Sequence, residues 1–295
     1  MKNFLKRTLS DADRAGLAGS FVRLSRGYVH YELIGPVDGN VLVLVPGLSV
    51  PFSTWERNAQ PLAEAGYRVL RYEHYGRGFS DRPSGGYDLD FFVEQLVELL
   101  CAIGLERPLA LVGLSMGGPV AVAAATRHPG LVRALVLVDP LFEWPKPRRA
   151  ARLLSAPLVG DLAMALRGAR ILAGGQRGDF YDEAAHADFI PSYLPQFRYR
   201  GVERAVLATI RSIPSWPLRR TFADLGRSGL PALLFWGRKD ATLPFEQSAG
   251  LLSLVPQAEF HCVEGAGHVP QWEKAGEVNE AIAEFLLRLE SLRAN

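Results

Sequence analysis

Leu109-Ala110-Leu111-Val112-Gly113-Leu114-Ser115-Met116-Gly117-Gly118 is the stretch on which the fold turns. Its apolar start reads as a strand buried on both faces, Gly-x-Ser-x-Gly as a sharp turn, and the alanine-rich run beyond it as a helix. Such a turn crowds the backbone, so glycines at 113 and 117 relieve contact with neighbouring chain and let Ser115 project its hydroxyl at the strand end. Gly-x-Ser-x-Gly alone is also an ordinary glycine-rich turn. The flanking strand and helix make Ser115 a candidate nucleophile.

Outward from this stretch, further short apolar runs occur at 41–45, 67–72, 134–138, 232–236 and 259–263, with helical patterns between them. Solid apolar strands alternating with helices predict a mainly parallel sheet covered on both faces. Residues 21–34 alternate in polarity and predict an antiparallel hairpin joined at Gly27, giving eight strands in all. Val93, Leu96, Val97 and Leu100 form one apolar helical stripe, and Val278, Ile282, Phe285, Leu286 and Leu289 another; both predict core packing.

From 141 to 220 the alternation gives way to helical and irregular sequence rich in aromatic residues. We read 1–140 and 221–295 as the core domain and 141–220 as an inserted helical cap, or lid. Pro145-Lys146-Pro147-Arg148-Arg149 is the nearest approach to a linker and stands where the cap should begin. The cap carries thirteen Lys or Arg against seven Asp or Glu. That asymmetry fits anionic substrates or weak contact with a membrane surface, and equally fits a solvated helix face.

Composition bounds the rest. With 295 residues and 48% hydrophobic side chains, the chain can bury a sizeable core, which excludes disordered and fibrous classes. A formal net charge of +2 lacks the basic excess of a nucleic-acid binder. The first residues, Met-Lys-Asn-Phe-Leu-Lys-Arg, show no uninterrupted apolar stretch, so a soluble cytoplasmic protein is expected. Cys101 and Cys262 show neither metal-ligand nor redox spacing and are expected to be small buried core residues.

A serine hydroxyl needs a base. Of six histidines, His268 lies in Gly265-Ala266-Gly267-His268-Val269-Pro270, a glycine turn after the last predicted strand, from which an imidazole can swing toward Ser115. His30 falls in the opening hairpin, His128 at a helix end and His186 in the cap, while His74 and His261 read as structural. An acid must orient the imidazole. Asp240 follows the strand at 232–236 and gives the chain order serine, acid, histidine. Asp139, at the end of an earlier strand, is the rival acid, or else a turn residue before Pro140.

Taken together these motifs resemble the α/β-hydrolase superfamily, specifically its lidded serine esterase and lipase-like members, over nearly the whole chain. Arg71-Tyr72-Glu73-His74-Tyr75-Gly76-Arg77-Gly78-Phe79-Ser80-Asp81-Arg82-Pro83 resembles the family's glycine-rich loop after the fourth strand, with Glu73 where aspartate is usual. The resemblance implies that this loop braces the site without reacting. Val45-Pro46-Gly47-Leu48-Ser49 resembles the oxyanion loop and implies that the backbone N–H groups of Leu48 and Met116 form the oxyanion hole. Pro46 replaces the usual histidine, which puts the bracing of that loop in question.

The expected chemistry is hydrolysis of a carboxylic ester through a Ser115–His268–Asp240 triad and an acyl-enzyme, with no metal or organic cofactor. Aspartate-nucleophile relatives, the haloalkane dehalogenases and epoxide hydrolases, are set aside by Ser115. The expected partner is a small ester with an apolar acyl or alcohol part, such as a monoacylglycerol, bound by a monomer or homodimer. Phe142, Trp144 and Tyr193 are the expected substrate-binding residues, with core packing as their alternative role. Carbon–carbon bond hydrolysis or perhydrolysis by the same triad is the second reading. A slow-turnover ligand-binding receptor is the third.

Overall fold

A computed structural model describes residues 6–105, 108–144 and 155–294. Its eight-stranded sheet comprises β1 (Ser20–Leu24), β2 (Gly27–Ile34), β3 (Val41–Val45), β4 (Arg68–Tyr72), β5 (Leu109–Leu114), β6 (Val132–Val138), β7 (Ala232–Gly237) and β8 (Ala258–Val263). They lie side by side in the order β1-β2-β4-β3-β5-β6-β7-β8. β1 and β2 form the antiparallel hairpin, β2 pairs antiparallel with β4, and the pairings from β4 through β8 are parallel.

The solid apolar runs are the interior of this sheet: every residue of β3, β5, β6 and β7 is buried. One face is covered by helices Leu89–Ala102, Gly117–Arg127, Leu218–Ser228 and Gln247–Leu254, and the other by Glu56–Glu64 and Ala275–Ala294. Both apolar stripes read from the sequence point inward, with Leu96 and Leu100 on one face and Val278, Ile282 and Leu286 on the other. Asp88 starts the helix Leu89–Ala102 by accepting the Phe91 N–H at 2.9 Å, satisfying a donor that has no helical partner.

Between β6 and β7 the chain runs through helices Val159–Arg177, Phe189–Tyr193, Val202–Ser212 and Leu218–Ser228. The last of these packs against Gly117–Arg127 as part of the sheet's covering layer, while Val159–Arg177 packs against Val202–Ser212. The Pro145–Arg149 segment lies outside the described residues. No helix among the described residues is long and apolar enough to cross a membrane.

The cysteines depart from expectation. Cys101 is exposed, because it projects off the buried stripe formed by Leu96, Leu99 and Leu100. Cys262 is half-exposed because β8 is an edge strand, covered less fully than its neighbours.

Burial on both faces sets the stability of the central strands. Leu135→Ala in β6 is expected to lower the unfolding free energy by about 2–5 kcal/mol, because the removed atoms leave a cavity that the sheet cannot collapse. Leu287→Ala, on the exposed side of the C-terminal helix at 61% exposure, is expected to change it by less than about 0.5 kcal/mol. Urea unfolding followed by circular dichroism compares the two.

Candidate active site

Ser115 occupies the step between β5 and the helix Gly117–Arg127 in a left-handed conformation, φ 52°. Its N–H donates to Val138 O at 2.9 Å, and its carbonyl accepts from Gly118 N and Leu141 N, also at 2.9 Å, so the turn is tied to β6. A Cβ at Gly113 would fall 2.5 Å from Gly117 O, and one at Gly117 would fall 2.5 Å from Val45 O. Neither position has room for a side chain, which is why both are glycine.

His268 and Asp240 arrive at the same sheet edge from the loops after β8 and β7. His268 Nε2 lies 2.9 Å from Ser115 Oγ, and Nδ1 lies 2.7 Å from Asp240 Oδ2. Asp240 Oδ1 accepts the backbone N–H groups of Thr242 and Leu243, both at 2.8 Å, so three hydrogen bonds fix the carboxylate. The His268 backbone N–H donates to Asp179 O at 2.7 Å, tying the histidine loop to the segment between β6 and β7. Burial disfavours an imidazolium at His268, but the Asp240 charge and hydrogen bond, with Asp179 and Asp139 beyond, outweigh it and raise the imidazole above its ordinary range.

Asp139 sits at the end of β6 with φ 40°, and its Oδ1 accepts the Gly237 N–H at 2.9 Å. Its ligand atom lies within 4.8 Å of those of Asp240 and His268, yet the imidazole bonds Asp240. Burial first, and then the Asp240 charge, push the Asp139 carboxyl well above the usual carboxylate range.

The oxyanion-like loop is braced from outside itself. His74 Nε2 is 3.1 Å from Pro46 O, and Arg77 Nε donates to Leu48 O at 2.7 Å. These contacts hold the peptides on either side of the Gly47–Leu48 unit, so replacement of the usual histidine by Pro46 leaves the loop anchored. Burial and the neighbouring Arg77 charge lower the His74 imidazole to about 3, keeping it neutral in this role. Glu73 is buried beside His30 Nδ1 at 3.0 Å.

Ser115, Met116, His268, Gly47 and Leu48 all line one cavity of about 340 Å³. Apolar side chains dominate its wall, among them Val50, Leu141, Ile171, Leu172, Ile213 and Leu243. Of the three expected substrate-binding residues, Trp144 lines the cavity. Phe142 turns away into the core, edge-on to Phe222 at 5.6 Å. Tyr193 is buried between Phe189 and Phe197, and its hydroxyl donates to Ser49 Oγ at 3.1 Å behind the cavity wall.

Ser49, Gln176, Asp179 and Thr242 supply polar wall that sequence reasoning did not single out. Burial raises the Asp179 carboxyl above its ordinary range. Gln176 and Asp179 belong to no motif; only their place in a segment expected to face the site could have signalled them.

A profile of the family described as the alpha/beta hydrolase fold matches residues 40–275. The chain is 29% identical over 304 aligned residues to 2-hydroxy-6-oxononadienedioate/2-hydroxy-6-oxononatrienedioate hydrolase 1 of Dechloromonas aromatica (strain RCB), spanning 95% of this chain and 98% of that protein. It is 28% identical to Lipase 1 of Psychrobacter immobilis, over 89% of this chain and 82% of the lipase. The crystal structure of the enol-lactonase from Burkholderia xenovorans LB400 has the same fold, with a TM-score of 0.77 at 22% identity across 91% of this chain and 100% of that one. With the profile covering most of the chain and relatives aligned nearly end to end, this protein belongs to the α/β-hydrolase family and is a serine hydrolase.

Proposed function

We propose that this enzyme hydrolyses carboxylic esters with an apolar acyl or alcohol part. The observation that carries the reading is the continuous chain of hydrogen bonds Ser115 Oγ to His268 Nε2 and His268 Nδ1 to Asp240, opening into a largely apolar cavity. Ser115 Oγ attacks the ester carbonyl as its proton passes to His268 Nε2, and Asp240 stabilises the imidazolium that forms. The backbone N–H groups of Leu48 and Met116 receive the oxyanion; each such donor contributes a factor of about 10²–10³ to turnover. The alcohol departs with the proton from Nε2, and water, deprotonated by the same nitrogen, releases the acid. Neither half-reaction calls for a metal or organic cofactor.

In this reading residues 141–220 act as a cap. Leu141, Trp144, Ile171, Leu172, Gln176 and Asp179 come from that segment and share the cavity wall with the triad. The ester reading is favoured over cleavage of a dioate of the kind named for the Dechloromonas relative. Asp179 presents a carboxyl to the cavity, and among the described lining residues none is Lys or Arg.

Labelling with a fluorophosphonate, followed by mass spectrometry, is expected to modify the peptide carrying Ser115. Ser115→Ala is expected to abolish labelling and lower kcat/KM on nitrophenyl esters by at least about a thousandfold. Full activity in that variant would refute the proposal. Turnover far below about one per minute on every ester, with tight ligand binding, would point instead to a receptor.

The pH profile tests the base. Only neutral imidazole accepts the proton, so kcat/KM is expected to rise with pH through the raised value of His268, on the alkaline side of the free imidazole's ~6.5. Asp240→Asn removes the charge that raises it. That variant should move the inflection toward lower pH while cutting kcat by about 10³–10⁴. An inflection that stays in place would assign it to another group.

A further inference from the structure

One part of the cavity wall is polar in a way that the ester chemistry does not use. Asp179 is buried, with Oδ1 accepting the Thr242 hydroxyl at 2.6 Å and Oδ2 accepting Gln176 Nε2 at 3.0 Å. Turned this way, the Gln176 amide leaves Oε1 buried and without a hydrogen-bond partner among the described residues. An unpaired acceptor in a protein interior is costly unless a ligand or water satisfies it. Ser49 Oγ accepts from Tyr193 OH at 3.1 Å and lies 3.5 Å from Gln176 Nε2, so its lone pairs are engaged and its own hydrogen is left to donate. All three side chains line the cavity that holds Ser115.

We propose that Ser49, Gln176 and Asp179 form a subsite for an alcohol hydroxyl on the substrate, so that the enzyme selects esters carrying a second, free hydroxyl. The inference rests on the ester reading above and narrows its substrate class. A hydroxyl is both donor and acceptor. It can give its hydrogen to Gln176 Oε1 or the Asp179 carboxyl and take the hydrogen of Ser49. An ammonium group can use only the acceptors, and a methyl group uses neither. A carboxylate would face Asp179, with Asp240 close to the same histidine, and would meet no cation among the described lining residues. A site built to hydrogen-bond a hydroxyl discriminates because its buried polar groups go unpaired when the hydroxyl is missing.

The test compares kcat/KM for butyrate esters that differ only at the far end of the alcohol: propyl, 2-hydroxyethyl, 2-(dimethylamino)ethyl and carboxymethyl. A matching set of methyl esters of hexanoic, 6-hydroxyhexanoic and adipic acid places the same groups on the acyl side. In one of the two sets the hydroxy ester is expected to exceed its methyl-ended analogue by about tenfold or more, and the carboxylate to fall below it by a similar factor. Gln176→Leu should erase the hydroxyl preference. Asp179→Asn should raise the carboxylate-to-methyl ratio by about tenfold.

A preference for the ammonium-bearing ester, or hydroxyl and carboxylate ratios that neither variant moves, would overturn the proposal. Propyl butyrate and methyl hexanoate report the ester reading by themselves, since their turnover does not depend on the subsite. If no ester is turned over, that reading fails. Calorimetric titration of the same compounds into Ser115→Ala then reads the selection directly, and equal affinity for hydroxyl- and methyl-ended compounds would sink it.

Discussion

A serine forced into left-handed backbone between two positions that cannot carry a side chain is the constraint on which the rest of the structure depends. A non-glycine residue in that conformation costs on the order of 1–3 kcal/mol and persists only where its surroundings over-determine it. Here the surroundings are β5 and β6, buried along their whole length, and the hydrogen bonds by which Ser115 grips Val138 and Leu141. Those contacts hold the hydroxyl at the sheet edge. They also bring the oxyanion-like loop close, with only 3.5 Å between Ser115 Cβ and the position a Cβ at Gly47 would take.

Around that fixed point stand buried carboxyl groups with unequal hydrogen bonding. Asp240 uses both oxygens in hydrogen bonds to Thr242 N, Leu243 N and His268 Nδ1. Asp139, nearby, has one backbone donor and a second oxygen without a partner among the described residues. Two ionised carboxylates this close in low dielectric repel strongly, and burial together with the Asp240 charge raises the Asp139 carboxyl. The imidazole bonds Asp240, the acid with the fuller set of hydrogen bonds. Asp179 adds a third carboxyl from the segment between β6 and β7, and together the three hold the imidazole above its ordinary range.

The sheet was legible because strands buried on both faces must be apolar throughout, and the runs at 41–45, 134–138 and 232–236 have no other reading in that context. Ser115, His268 and Asp240 were legible because each follows a strand on a short loop, where topology limits what a side chain can reach. Chain order favoured Asp240 over Asp139, but only the hydrogen bonds distinguish them. Phe142 and Tyr193 show the opposite case. An aromatic residue in a helical insertion gives the same local signal whether it faces a cavity or a neighbouring helix, and here both turned inward. Cys101 failed for a related reason: one residue past a buried stripe is enough to face solvent.

The replacement of histidine by Pro46 shows how the site's parts depend on one another. Arg77, fully buried, spends its donors on Leu48 O, Tyr75 O and Thr209 Oγ1. Gln196 donates to Ser49 O at 3.2 Å and accepts from Gly78 N at 3.0 Å. Thr209 and Gln196 both belong to the segment between β6 and β7, so the oxyanion-like loop is braced from that segment as well as from the glycine-rich loop. Separating these contacts would strand a buried guanidinium and several buried polar groups, at a cost of several kcal/mol. This side of the segment between β6 and β7 is therefore held to the loop that lines the cavity. The helix Val159–Arg177 adds Ile171 and Leu172 to the cavity wall beside Gln176, whose amide ties it to Asp179 at 3.0 Å.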